Sequence, residues 1–385
     1  MQNKWGLIWP ILLVLLLPLA ASWFAYPQTH LPPGFGIFPP GPTAVEPPPG
    51  FNLTVFVIAA LAVLAIILLY LFPQWFGFKP PATDSATAGR TVRYPIWFWI
   101  GAVLTLFFWW LMWERETPFG GLVYYAFSPM WWGFILLLDG IVYRRSGGYS
   151  LLASRTRTFI ISAVVSIGGW CFFEYYNYFA LDNWYYPNRD LPALSHGTVV
   201  SLFLIAYTTV WPAIFEWYTL LNTFPKLVAR YANGPRLALS GNTLLWGGFA
   251  LIVGMVFFPY PLFWAQWVGS MAVFSGILIR MGIPSPFTGL AEGNWSPIAL
   301  IALSSFLNGL FWEVWNWGSA HYIAGLPSTN PNYWIYDIPY VNVIHIHAEM
   351  PLLGFAGYLP FGIMVWVVFI WAGKLFGFDT RLLKD

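Results

Sequence analysis

Two short runs carry the residues best placed to do chemistry. Phe-Phe-Glu174-Tyr-Tyr-Asn177-Tyr178 and Phe-Trp-Glu313-Val-Trp-Asn316-Trp317 each set a carboxylate, a carboxamide and a large aromatic ring at i, i+3 and i+4. That spacing gathers the three side chains on one helix face. Both runs end strongly apolar stretches, where an ionisable group is costly and is kept because it pairs with something or does something. Glu174 and Glu313 are therefore candidate proton donors or acceptors, with Asn177 and Asn316 placed to hold them by hydrogen bonds. Eight residues after each glutamate stands another polar group, Asp182 in the first run and His321 in the second. His321 joins the candidate catalytic set. The bland alternative is helix–helix glue, at about 1 kcal/mol per polar contact. Matched sets rather than single polar residues favour a pocket.

A second constellation is His345-Ile-His347-Ala-Glu349. In extended chain alternate side chains share a face, so two imidazoles and a carboxylate could converge near Glu313 and His321. Such a donor set suits Zn or, with open positions, non-haem Fe. The same histidines could instead carry protons, or be ordinary interfacial residues. Asp139, one turn before Arg144 and Arg145, reads as a cytoplasmic-side ion pair. The single cysteine, Cys171, cannot form an internal disulfide and reads as a small core residue. No phosphate-binding Gly loop, nucleophile elbow or Cys-x-x-Cys-His haem attachment is visible.

The elements that must position these groups are membrane helices. Apolar residues make up 58% of the 385, charged residues only 8%, and the mean hydropathy is +0.64. A soluble domain carries about 25% charge. The composition predicts an all-α, polytopic integral membrane protein with the lipid bilayer as its partner. A net charge of +2 without a dense basic run excludes nucleic acid. About ten spans are expected, near 6–26, 52–73, 95–113, 126–143, 158–179, 198–222, 241–258, 263–281, 298–320 and 349–373. The first reads as an uncleaved anchor, followed by a Pro/Gly-rich loop over 27–51 that suits an extended path along the protein surface. With both termini cytoplasmic, all but two of the 17 Lys and Arg face inward, the exceptions being Arg115 and Arg189. That asymmetry predicts an inner-membrane protein with both termini inside.

The two Glu-x-x-Asn runs belong to a longer repetition. Trp131-Trp-Gly133 with Gly140 and Arg144 matches Trp267-Val-Gly269 with Gly276 and Arg280. Trp211-Pro212 resembles Leu359-Pro360. Spans 3–6 therefore correspond to spans 7–10 as a parallel four-plus-four repeat. The expected organisation is a two-helix unit over 1–94 and repeats over 95–240 and 241–385. A parallel duplication would bring the two faces to a shared outer-leaflet pocket walled by aromatics.

Several stretches resemble a family of bacterial polytopic membrane proteins without an established activity: FSPMWWGFILLLDGIVYRRSG, FFEYYNYF, NWYY, FWEVWNW and EMPLLGFAGYLPFG. The resemblance spans about 125–373 and implies the same multi-span architecture. The family pattern has an apolar or aromatic residue where this chain has His347, and often a Glu where it has Met364. A metal role for His345 and His347 would thus not be family-wide. In outline, Glu174 with Pro212-Ala-Ile-Phe-Glu216 is also similar to the membrane-embedded lycopene cyclase type, a tandem repeat with an acidic residue on one helix and a Pro–acidic motif on the next. The Pro–acidic spacing differs.

Three function classes follow. One is a membrane enzyme or binding protein for a lipidic, isoprenoid or quinone-like molecule, using the glutamates and histidines. Another is a non-catalytic subunit of a larger redox or photosynthetic membrane complex, docking other membrane subunits. The third is a transporter or channel, against which stands the lack of a visible Gly/Pro-broken helix pair in corresponding positions.

Overall fold

The computed structural model describes residues 4–41, 47–80 and 91–384; Arg90, one of the cations expected to face inward, lies outside the described residues. About two thirds of the chain is helical, with almost no strand. In order it forms α1 (Trp5–Ala25), α2 (Leu53–Leu71), α3 (Ile96–Glu114), α4 (Phe127–Arg145), the single turn α5 (Leu151–Ser154), α6 (Thr156–Phe179), α7 (His196–Tyr207), α8 (Val210–Asn222), α9 (Pro225–Arg230), α10 (Gly241–Phe257), α11 (Pro259–Leu262), α12 (Ala265–Arg280), α13 (Ser296–His321) and α14 (Tyr358–Phe376). Two short strands, β1 (Trp184–Tyr185) and β2 (Ile335–Tyr336), are the only ones among the described residues.

Among the described residues, seven helical stretches are long and apolar enough to cross a membrane: α1, α2, α3, α6, the α7–α8 stretch, α13 and residues 352–376. The other three expected spans are also helical. One is α4, which carries Asp139 and ends in Arg144 and Arg145; the others are α10 at 17 residues and α12 at 16 residues. Seven of the ten expected spans thus qualify by length and composition. Helix starts are set locally: Asn52, Ser195 and Ser240 accept backbone N–H groups of Val55, Thr198 and Thr243 at 3.1, 3.1 and 3.3 Å. Each such cap contributes about 1 kcal/mol.

Without a hydrophobic drive between helices in lipid, close packing must come from small residues. Helices α3 and α4 touch backbone to backbone, so a Cβ on Gly133 would lie 2.7 Å from Thr105 N and one on Gly140 2.5 Å from Phe98 Cβ. Helices α10 and α12 do the same: a Cβ on Gly248 would lie 2.6 Å from Gly269 O, and one on Gly276 2.7 Å from Leu245 N. Trp211 of α8 is fully buried, lies over Gly169 of α6, and donates its indole N–H to Val365 O of α14 at 2.9 Å.

Two spans are broken. The stretch from His196 to Asn222 is interrupted at Thr208 and Thr209, and the last span opens with a 3-10 turn, Leu352–Gly357, before α14. The causes are Pro212 and Pro360. A proline lacks the N–H that would bond the carbonyl four residues back and crowds that carbonyl, here Thr208 and Ala356. The expectation that no broken pair exists is corrected: the breaks immediately follow Tyr207 and immediately precede Tyr358.

One side of the bundle is covered by ordered loops. Strands β1 and β2 pair antiparallel, Trp184 opposite Tyr336 and Tyr185 opposite Ile335, and the pairing extends through Asp337 N to Asn183 O at 2.9 Å. The Pro-rich loop is bonded to this ribbon, with Tyr186 N donating to Pro40 O at 3.0 Å and Tyr340 N to Pro49 O at 3.1 Å. Helix α2 has no buried residue. It is tied near its ends, through Asn52 N to Tyr340 O at 3.0 Å and Tyr70 Oη to Ala299 O at 2.8 Å.

Candidate functional site

Glu174 is buried near the end of α6 and is surrounded by donors. Its Oε1 accepts from Tyr186 Oη at 2.6 Å, Tyr207 Oη at 2.9 Å and Trp170 Nε1 at 2.9 Å; its Oε2 accepts from Trp184 Nε1 at 3.2 Å. Glu313 is buried at the matching place in α13. Its Oε1 accepts from Tyr336 Oη at 2.8 Å and from Tyr358 Oη, and its Oε2 from Met350 N at 3.2 Å. Neither carboxylate has an ion-pair partner among the described residues. Each draws one phenol from the loop ribbon and one from a broken helix. Beyond the phenols the two sets differ in their donors, two indoles on Glu174 and a backbone N–H on Glu313. Trp170 stands four residues before Glu174, whereas the residue four before Glu313 is Gly309, whose missing side chain makes room for the Tyr358 ring. Burial pushes the Tyr186 and Tyr336 phenols well above their ordinary value of 10, and the adjacent glutamates push them further. Both phenols therefore remain donors at neutral pH.

The asparagines do not hold the glutamates, contrary to the expectation from spacing. Asn177 Nδ2 donates to Trp184 O at 2.7 Å. Asn316 Nδ2 donates to Trp334 O at 2.7 Å while its Oδ1 accepts from Trp334 N at 3.1 Å. Three residues along the helix, each side chain has passed the glutamate's level and reaches the loop ribbon. The asparagines thus fasten the ribbon that delivers Trp184, Tyr186 and Tyr336.

Between the two sets lies a cavity of about 700 Å³. Both phenols of each set line it, together with Trp170, Trp184, Trp267, Trp312, Trp334 and Phe361. Helix α2 closes one side with Val55, Ile58, Ala59 and Ala62. No charged side chain lines it among the described residues. The rings pack against one another; Trp184 stacks on Trp267 with centroids 5.6 Å apart. The tyrosines were missed by sequence reasoning, as was Gln266, a fully buried lining residue of α12.

His321 and Glu349 do come together, Nε2 to Oε1 at 2.6 Å, with Tyr333 Oη donating to the same oxygen at 2.6 Å. His345 and His347 do not join them, and no group of three His, Cys, Asp or Glu able to hold a metal occurs among the described residues. The expected His345/His347/Glu349 ligand set is therefore corrected. Its premise was extended chain, but Ile344 and His347 have φ of 61° and 47°. Those left-handed residues break the alternation that would put the three side chains on one face. The His347 ring meets the edge of Trp317 instead, and Trp317 also stacks on His321.

The expected ion pair of Asp139 is also absent. Its oxygens accept from Trp97 Nε1 and Leu152 N, both at 2.8 Å, and it faces Glu216 of α8. Arg144 lies over the Tyr94 ring, and Arg145 donates to Thr223 Oγ1 at 2.7 Å. Arg115 and Arg189, the two cations assigned to outer loops, both hold backbone carbonyls. Arg115 donates to Ala320 O, Ile323 O and Leu326 O where α13 ends, and Arg189 to Pro39 O.

No family model, curated protein or solved structure matches this chain.

Proposed function

We propose that this chain is an integral membrane protein that takes up a lipidic molecule of the isoprenoid or quinone class between its two Glu–Tyr sets. One observation carries the reading: the 700 Å³ cavity is walled by aromatic rings and flanked by two buried carboxylates, each bonded to two phenols that line it. Cavities of that size and character suit small apolar ligands.

In this reading ten helices cross the inner membrane, both termini are cytoplasmic, and spans 3–6 and 7–10 form a parallel repeat. The glycine contacts of α3–α4 and α10–α12 support the repeat, as do the matched bonds of Asn177 and Asn316. The cavity then lies toward the outer leaflet. Glu174 and Glu313 exchange protons with bound ligand through Tyr207 and Tyr358, acting as donor or acceptor. The partly exposed His321 bonds Glu349, whose chain neighbour Met350 donates to Glu313.

The test is lipid analysis of purified protein. An isoprenoid or quinone-like compound should co-purify and be lost from Ala59→Trp and Ala62→Trp, which fill the cavity from a helix that buries nothing. Unchanged lipid content in those variants, or none in the wild type, sinks the reading. The paired broken helices favour a second reading, a carrier for the same class of molecule, which flux across proteoliposomes would reveal.

A further inference from the structure

The cavity wall contains polar atoms that the protein leaves without partners. Gln266 is fully buried, and neither its Oε1 nor its Nε2 has a hydrogen-bond partner among the described residues. Asn183 Oδ1, on another residue that lines the cavity, likewise has none. Burying an amide without a partner is costly, and most buried polar groups are satisfied. Two carboxamide side chains with unpaired polar atoms on the wall of one apolar cavity are therefore an arrangement that a ligand would complete. They offer N–H donors and carbonyl acceptors but no charge. Without a cation on the wall, a phosphate or carboxylate headgroup would enter uncompensated and close to Glu174 and Glu313.

We infer that the cavity recognises an uncharged ligand through one oxygen function, a hydroxyl or a carbonyl, held by the Gln266 carboxamide. This inference rests on the lipid-binding reading above and adds the chemistry of the ligand's polar end. Hydrocarbon fits the aromatic walls; the oxygen selects among molecules that all fit.

The experiment uses full-length protein in detergent, delipidated, with four probes: geranylgeraniol, its monophosphate, the hydrocarbon of the same chain and a decyl-substituted benzoquinone. Tryptophan quenching reads binding. The alcohol or the quinone should bind at least about tenfold more tightly than the hydrocarbon, the equivalent of about 1.4 kcal/mol, and the phosphate should bind worst. In Gln266→Leu that preference should disappear. The thermal midpoint of the ligand-free Gln266→Leu protein should rise, because an unpaired buried amide has been replaced by an apolar group of similar size. A lower midpoint would mean that the amide has a structural partner, and would overturn the inference. Equal binding of alcohol, quinone and hydrocarbon, or a preference that survives Gln266→Leu, would also overturn it while leaving the cavity as a lipid site. If no probe binds and no lipid co-purifies, both readings fall.

Discussion

The carboxyl groups of this protein sit in two kinds of environment, and the difference can be measured by the same substitution. Glu313 faces donors only: two phenols and a backbone N–H. Glu313→Gln must turn an NH2 group toward one of them, so it should cost about 1–3 kcal/mol of stability. Glu216 faces another acid, Asp139, and accepts from Thr219 Oγ1 at 3.3 Å. Glu216→Gln supplies an N–H to Asp139 and keeps an oxygen for Thr219, so it should be neutral or stabilising. Detergent thermal-shift measurements on both variants test the pair, and equal destabilisation would contradict it. What spacing revealed at this scale was which residues share a helix face. Glu174, Asn177, Glu313 and Asn316 were legible as two helix faces, because i, i+3 and i+4 are fixed by helix geometry. Their partners were not. Tyr186 and Tyr336 arrive on a loop ribbon whose pairing no local pattern announces, and Gln266 lies on a helix whose apolar neighbours give it no distinction.

Among the elements, the densest packing belongs to α3 with α4 and α10 with α12, where glycines replace side chains. Gly276→Val should be severe, because its Cβ alone would meet Leu245 N at 2.7 Å; a loss of several kcal/mol or of recoverable protein is expected. Gly247→Val on α10 is the control, since nothing lies within 4 Å of its added Cβ. Similar folded yields for the two variants would overturn the packing argument. The glycines were visible in the sequence as repeated positions, but their purpose required the facing helix. The broken spans show the opposite case. Pro212 and Pro360 were in plain view, yet proline near the start of a helix is tolerated and does not by itself signal a break. What decides is the helix that would otherwise continue four residues upstream, and this is absent from the local pattern.

At the scale of the molecule, the distribution of Lys and Arg implies a direction in the membrane. On the proposed orientation, a cysteine placed at Asp190 should react with an impermeant maleimide added to intact cells, whereas one placed at Lys226 should react only after permeabilisation. The reverse pattern would invert the molecule and put the cavity toward the cytoplasmic leaflet. The expected orientation rests on where charges fall along the chain, not on contacts. The convergence of two distant helix faces on one cavity was expected from the repetition alone. That His345 and His347 stand apart from Glu349 was not, because left-handed backbone at Ile344 and His347 leaves no mark in the sequence.

Helix α2 lines the cavity yet buries no residue, and its interior ties to the bundle are few. A hydrophobic molecule that reaches the cavity past this helix need not dissolve in water. Its occupancy would then be governed by its mole fraction in the surrounding lipid rather than by its concentration in the medium. Diluting proteoliposomes with buffer should leave occupancy unchanged, whereas fusing them with ligand-free lipid should lower it in proportion.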